Sequence, residues 1–273
     1  MTETATLIAA AALYLLGSAA YGAFLFLRLP ALALSGRLAT VLAVALHTVA
    51  IGVHCARTHQ TPFTTPAETL SASAWAIALA YLALELLLQP RPTALGAVAL
   101  PVAFLCLFAG AFLPTAAPMP ATPVLSSRLI SLHILAILFA FGLLVLAFGC
   151  AALYLAQHRM LKQKRLKGGL FGLLPPLASL DHLAFALVAF AFPLLTVGLA
   201  AGAIAAATGG PPGRWLADQK VLASVVTWLV YGLYLALHVV AHWRGLRANY
   251  LLLGGLLAAL VTYFAPTQLH QFG

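Results

Sequence analysis

The stretch "SLDHLAFALVAFAFPLLTVGLAAGAIAA" (179–206) carries no charged side chain after His182. A helix needs ~20 apolar residues to cross the hydrocarbon of a bilayer. This segment exceeds that and lacks the period-two alternation of a barrel strand. It contains glycine and proline, which membrane helices tolerate because neighbouring groups re-satisfy the backbone. The same reading recurs along the chain, giving candidate spans at 5–27, 38–56, 69–89, 94–113, 129–157, 180–206, 220–243 and 249–267. The composition agrees: 63% of the 273 residues are hydrophobic and 7% charged, with a mean hydropathy of +1.04. A soluble domain carries about 25% charged residues. The expected fold class is all-α, a polytopic membrane helix bundle of about eight transmembrane helices. The expected organisation is one membrane domain over 1–273, with N-terminal helices at 5–113 and a core at 129–273.

The opening "MTETAT" has no basic residue, and the apolar run behind it outlasts a signal-peptide core. The first segment is therefore expected to stay as a span. With eight spans, the loops after the first, third, fifth and seventh share a side. Those loops hold Arg28, Arg37, Arg91, Arg159, Lys162, Lys164, Arg165, Lys167, Arg244 and Arg247, ten of the 14 lysines and arginines. Basic loops face the cytoplasm, so both termini are expected on the non-cytoplasmic side. The run "HRMLKQKRLK" (158–167) reads as an anchor to the inner leaflet and not as a nucleic-acid patch. Two loops are longer than the rest: a Pro-rich external one at 115–128, and 158–179. The second half of 158–179 can lie in the inner interface, where its glycines and paired prolines disfavour a regular helix.

Cys55, Cys106 and Cys150 form no CxxC pair and imply neither a disulfide framework nor a thiolate metal site. Of the five acids, Glu85 alone lies well inside a span, where it can pair with nearby Arg91. Nine histidines accompany those five acids: His47, His54, His59, His133, His158, His182, His238, His242 and His270. Imidazole is neutral near pH 7 and ligates metals. A histidine excess without acids or paired thiols suggests haem or another nitrogen-liganded metal.

Depth sorts the histidines into two layers. His133 lies near the external end of span 5, and His270 just beyond the external end of span 8. His238 lies ~27 Å along span 7 from Lys220, near the depth of His182. His242 is one turn further. A bis-imidazole haem draws one ring from each side of the iron, and separate helices supply that. Each histidine also has a plain reading as an interfacial or hydrogen-bonded residue. The external loop "GGPPGRWLADQK" (209–220) likewise has two readings. Trp215 is either an interfacial belt residue or a cover for a haem face. Asp218 caps span 7, and Arg214 or Lys220 can pair with a propionate.

Three stretches carry a family resemblance: "SLDHLAFALVAFAFPLLTVGLAAGAIAA" (179–206), "WLADQKVLASVVTWLVYGLYLALH" (215–238) and "LVTYFAPTQLHQFG" (260–273). With "LHILAILFAFGLL" (132–144), they resemble the C-terminal half of the CcsA-type cytochrome c assembly proteins, in the haem-handling superfamily that includes CcmC and CcmF. The short chain is most similar to the YpjD-type CcsA-like inner-membrane proteins. The resemblance implies that His133 and His270 are two external haem ligands beside a tryptophan-rich loop. It further implies that His238 is a membrane-embedded histidine serving a deeper haem, whose second ligand comes from a partner subunit. His182, at similar depth, is a local candidate for that second ligand.

The loop departs from the family pattern. Trp215, Asp218 and Lys220 remain, but the other tryptophans are missing, and the closing motif reads L-H-Q-F instead of L-H-S-Y. The expected function is therefore binding or relay of haem b, one or two per chain, through histidine ligands, in preference to cytochrome c synthase catalysis. The expected setting is a multi-pass protein of the bacterial inner membrane. Its expected partners are haem, the lipid bilayer, and apocytochrome c or a membrane protein. The competing expectation is a haem-free accessory or scaffold subunit that keeps the fold. A transporter for another solute fits less well, because only His47 is ionisable near midmembrane.

Overall fold

In the computed structural model the described residues are 3–58, 65–113, 128–164, 174–209 and 217–264. They form eight helices and, among the described residues, no strand: α1 Glu3–Leu27, α2 Pro30–Thr58, α3 Pro66–Leu87, α4 Thr93–Gly110, α5 Arg128–Lys162, α6 Leu177–Gly209, α7 Gln219–Val239 and α8 Leu246–Phe264. All eight are long and apolar enough to cross a membrane. The all-α bundle expected from hydropathy is the observed fold. Several boundaries differ from the hydropathy reading. Helix α2 starts at Pro30, so Arg37 lies on a helix and not in a loop. Helix α5 runs on through Lys162 and takes in the first half of the basic run. At 1.5 Å per residue its 35 residues span ~52 Å, well beyond the ~30 Å of hydrocarbon, so Arg159 and Lys162 can sit outside the apolar layer. Helix α7 ends at Val239, short of His242.

The local signals explain several ends. Thr65 caps α3 in a reciprocal capping box with Glu68, and Pro66 opens the helix where its missing N–H costs nothing. Asp218 caps α7 by accepting from the backbone N–H groups of Lys220 and Val221. At the other end of α7, the N–H groups of Ala241 and Trp243 both return to the carbonyl of Leu237. His242 takes a left-handed φ of 51° there, and Gly245 follows at 72°. That turn, invisible to a hydropathy window, removes His242 from the helix.

The chain divides into two compact units. One comprises 1–115 and 153–180, the other 116–152 and 181–273. In lipid there is no hydrophobic drive to pack one apolar helix on another, so close approach at small residues and buried hydrogen bonds must hold each unit together.

The first unit follows this rule. On α1, Thr6, Ala10, Tyr14, Gly17, Tyr21 and Leu25 form one buried stripe. The Tyr21 ring lies against Gly36 of α2, where an added Cβ would come within 3.0 Å of it, and against Gly96 of α4, where one would come within 2.6 Å. Tyr81 of α3 meets the same ring edge-on, with centroids 5.6 Å apart. The Tyr21 hydroxyl donates to Glu85, which is fully buried. The cation paired with Glu85 is Arg37 of α2, at 3.4 Å, in place of the expected sequence neighbour Arg91. One carboxylate therefore ties three helices.

Ten residues beyond Arg37 on α2, His47 is also fully buried and has both ring nitrogens bonded, Nδ1 with the Tyr14 hydroxyl at 3.1 Å and Nε2 with Ser71 Oγ at 2.9 Å. His54 lies a further seven residues on, between Glu3 at 2.8 Å and Glu68 at 3.6 Å.

Removing one partner of a buried ion pair leaves the other charge stranded, at a cost of several kcal/mol, whereas replacing both with apolar residues is often neutral. Arg37→Ala should therefore lower the unfolding free energy in detergent by about 3 kcal/mol, and Arg37→Leu with Glu85→Met should recover most of it. Thermal unfolding of the single and double variants checks this. Wild-type stability in R37A would remove Glu85 from its place as the tie of the first unit.

Candidate functional site

The sequence-predicted residues that fall among the described ones and lie near one another are in the second unit. Its helical parts are residues 128–152 of α5, 181–209 of α6, and all of α7 and α8. Helices α5 and α6 run antiparallel, so the start of α5 meets the end of α6. Here His133, five residues into α5, points Nδ1 at the backbone carbonyl of Gly198 on α6, 2.7 Å away. A carbonyl oxygen only accepts, so the imidazole carries its proton on Nδ1 and donates. In the neutral ring that puts the lone pair on Nε2. Metal-bound imidazoles are generally held this way, by a bond from the other nitrogen to a carbonyl or carboxylate.

Two glycines of α6 make the approach possible. An added Cβ at Gly202 would stand 2.6 Å from His133 Nδ1, and one at Gly198 would stand 2.7 Å from Ile137 Cδ1. The two glycines were missed as site residues, although "GLAAG" (198–202) is the small-xxx-small signature of close helix packing.

The N-terminal end of α7 completes this region. Asp218 is buried, and its Oδ1 accepts the bonds that cap α7. Lys220 is half-buried and close enough to His133 to act on it electrostatically. His133 and Lys220 are thus brought to one end of the unit. Trp215, Arg214 and His270 lie outside the described residues.

At the other end of α7, His238 is buried, with 8% of its surface exposed. Its ring stacks on Phe185 of α6, with centroids 4.3 Å apart and planes 15° from parallel. On the same helix, Tyr234 leans on it at 5.8 Å. His238 Nδ1, the Tyr234 hydroxyl and Asn249 Oδ1 are all buried without a hydrogen-bond partner among the described residues. Buried polar atoms in a low-dielectric interior are normally paired, so three orphans at one end of a unit mark a polar site.

Asp181 fixes the frame around them. Its Oδ1 accepts from the backbone N–H of Gly245 and from Asn249 Nδ2, both at 3.1 Å, and so ties the α7–α8 turn to the start of α6. His182 is exposed. It lies with His242 and Arg244 within electrostatic range of His238, but no bond joins it to that ring. Phe185 was already visible as one of the phenylalanines of the quoted α6 stretch. Tyr234 and Asn249 carried no comparable signal, because their role depends on the turn at His242.

The remaining histidines are accounted for otherwise. His47 and His54 sit in the bonded networks of the first unit. His158, also in that unit, stacks on Tyr154 at 6.2 Å. His59 lies outside the described residues. Among the described residues no three metal-ligating side chains converge. A bare metal ion such as zinc asks the protein for three or four ligands, whereas haem iron asks for one or two. The described imidazoles, one held by a carbonyl bond and one stacked on Phe185, are single donors of the kind haem iron takes.

The profile of the "Cytochrome C assembly protein" family matches residues 65–271. The cytochrome c biogenesis protein CcsA of Guillardia theta is 28% identical over 258 residues, covering 86% of this chain and 84% of that protein. CcsA of Porphyra purpurea is 26% identical over 253 residues, covering 76% of each. Protein HemX of Bacillus subtilis (strain 168) is 30% identical over 148 residues, covering 54% of this chain and 53% of HemX. With helices α3 to α8 inside the matched range, this chain belongs to the cytochrome c assembly protein family.

Proposed function

We propose that this protein binds haem b through histidine axial ligands and holds or relays it during cytochrome c assembly. The observation that carries the reading is the bond from His133 Nδ1 to the Gly198 carbonyl, which sets the tautomer a haem ligand needs. His133 and His270 are the two ligands of one site, beside Trp215 and the cation of Lys220, which would pair with a propionate. His238, walled by Phe185 and Tyr234, serves a second site, with His182 or a partner subunit supplying the other ligand. Bound haem would supply the redox-active iron; the protein supplies ligands, apolar walls and a charge partner. Asp218 contributes by capping α7 and so fixing the backbone from which Lys220 projects.

The distribution of basic residues supports a bacterial inner-membrane setting, with the His133 end facing away from the cytoplasm. Apocytochrome c or a membrane protein would receive or donate the haem. Holding and delivery fit the reduced tryptophan loop better than covalent attachment does.

Two sets of variants test this. In chain purified after haem-replete expression, His133→Ala and removal of residues 270–273 should each abolish the low-spin b-type signal of one site and leave the other. His238→Ala should do the reverse. Intact spectra in H133A would overturn the ligand assignment. Colourless wild-type protein that copurifies with a membrane complex would favour the scaffold reading. His47 gives a control, since both its nitrogens are already bonded. His47→Phe strands the Tyr14 hydroxyl and Ser71, and should cost about 2 kcal/mol of stability while leaving both haem signals in place.

A further inference from the structure

Glycine inside a helix is destabilising by about 1 kcal/mol relative to alanine. Two glycines one turn apart on the same face of α6 therefore need a reason, and the facing helix supplies it. His133 and Ile137 lie one turn apart on α5, each seated directly on one glycine. A Cβ at Gly202 would stand 2.6 Å from His133 Nδ1 and 2.8 Å from Cε1; a Cβ at Gly198 would stand 2.7 Å and 2.8 Å from Ile137 Cδ1 and Cγ1. Such separations are well inside van der Waals contact. The two glycines are not equivalent. Gly198 receives an aliphatic side chain and offers its carbonyl to the ring. Gly202 receives the ring itself.

We infer that Gly202 is a positioning residue for the His133 ligand. Its missing Cβ leaves room for the imidazole to reach the Gly198 carbonyl at 2.7 Å, and it thereby sets the direction in which Nε2 points. This inference rests on the reading of His133 as a haem ligand. Its physical content is separate. A methyl group at position 202 moves the end of a side chain, and the helices need not part. The His133 ring would swing off Gly198, lose the bond that fixes its tautomer and turn Nε2 away from the iron. Ligand sites tolerate only about 0.5 Å of such error. Outer-shell changes at metal-bound histidines typically cost 10–100-fold in affinity.

The test compares Gly202→Ala with Gly255→Ala in full-length chain purified after haem-replete expression, both in a His238→Ala background so that only the His133 site is read. Low-spin electron paramagnetic resonance and the Soret band report ligation; thermal unfolding reports packing. G202A should lose low-spin haem at this site about tenfold or more, while G255A, where the new Cβ would stand 2.9 Å from the Tyr231 ring and strain helix packing away from His133, keeps it. If G202A matches the parent spectrum, the inference is wrong. If both variants lose haem equally and in step with their stability, the glycines only pack helices and the inference is again wrong. If His133→Ala itself leaves the spectrum intact, the haem-ligand reading fails, and this inference with it, which separates the two failures.

Should G202A not accumulate, His133→Gly removes the clash and opens a space for free imidazole. Added imidazole should then restore low-spin haem about tenfold more effectively in H133G than in H133G/G202A. Equal restoration would overturn the role of Gly202.

Discussion

A histidine packed between membrane helices must give its N–H to something, because hydrocarbon offers no water to receive it. For His133 the receiver is the carbonyl of Gly198, and the function proposed for the second unit depends on that bond. It brings α5 close to α6 and requires glycine at the crossing. It also leaves Nε2 as the nitrogen with a lone pair. The Gly198 carbonyl bonds outward in addition to serving its own helix, which a carbonyl with two lone pairs can do. One hydrogen bond thus links a packing constraint to a chemical one.

Each unit holds buried polarity, and each leaves some of it open. In the first, Glu85 takes Tyr21 and Arg37, His47 takes Tyr14 and Ser71, and His54 takes Glu3 and Glu68, while Arg37 Nε, the Tyr81 hydroxyl and Gln157 Oε1 are buried without a hydrogen-bond partner among the described residues. Such networks stabilise and specify a structure. In the second unit the buried polarity is left open at His238, Tyr234 and Asn249. What supports the proposed chemistry on α5 to α8 is that the open atoms there include Nδ1 of a histidine stacked on Phe185. That placement also fits the resemblance, which was specific from about residue 129 onward and loose before it.

The fold class was legible in the sequence because a bilayer imposes a simple rule, ~20 apolar residues per span, and the eight apolar runs obey it. What hydropathy could not place were features set by hydrogen bonds instead of transfer energy. The true end of α7 depends on Leu237 receiving two returning N–H groups with His242 in a left-handed turn. The pairing of Glu85 with Arg37 in place of Arg91 depends on how α2 packs against α3, and sequence proximity misleads there. At the candidate site, His133, His238 and Lys220 were legible from residue type, depth and resemblance. Gly198 and Gly202 had a recognisable pattern whose meaning required knowing which residue sits opposite. Asp181 was visible as an acid, but its bonds to Gly245 and Asn249 join residues more than sixty positions apart, which no local pattern encodes.

The central claim is that these imidazoles hold haem. The most direct measurement is the reduced-minus-oxidised absorption spectrum of the wild-type chain, purified in mild detergent after haem-replete expression and read against its haem content. The account predicts low-spin b-type bands, with one or two haems per chain. A colourless, folded and stable protein would contradict it.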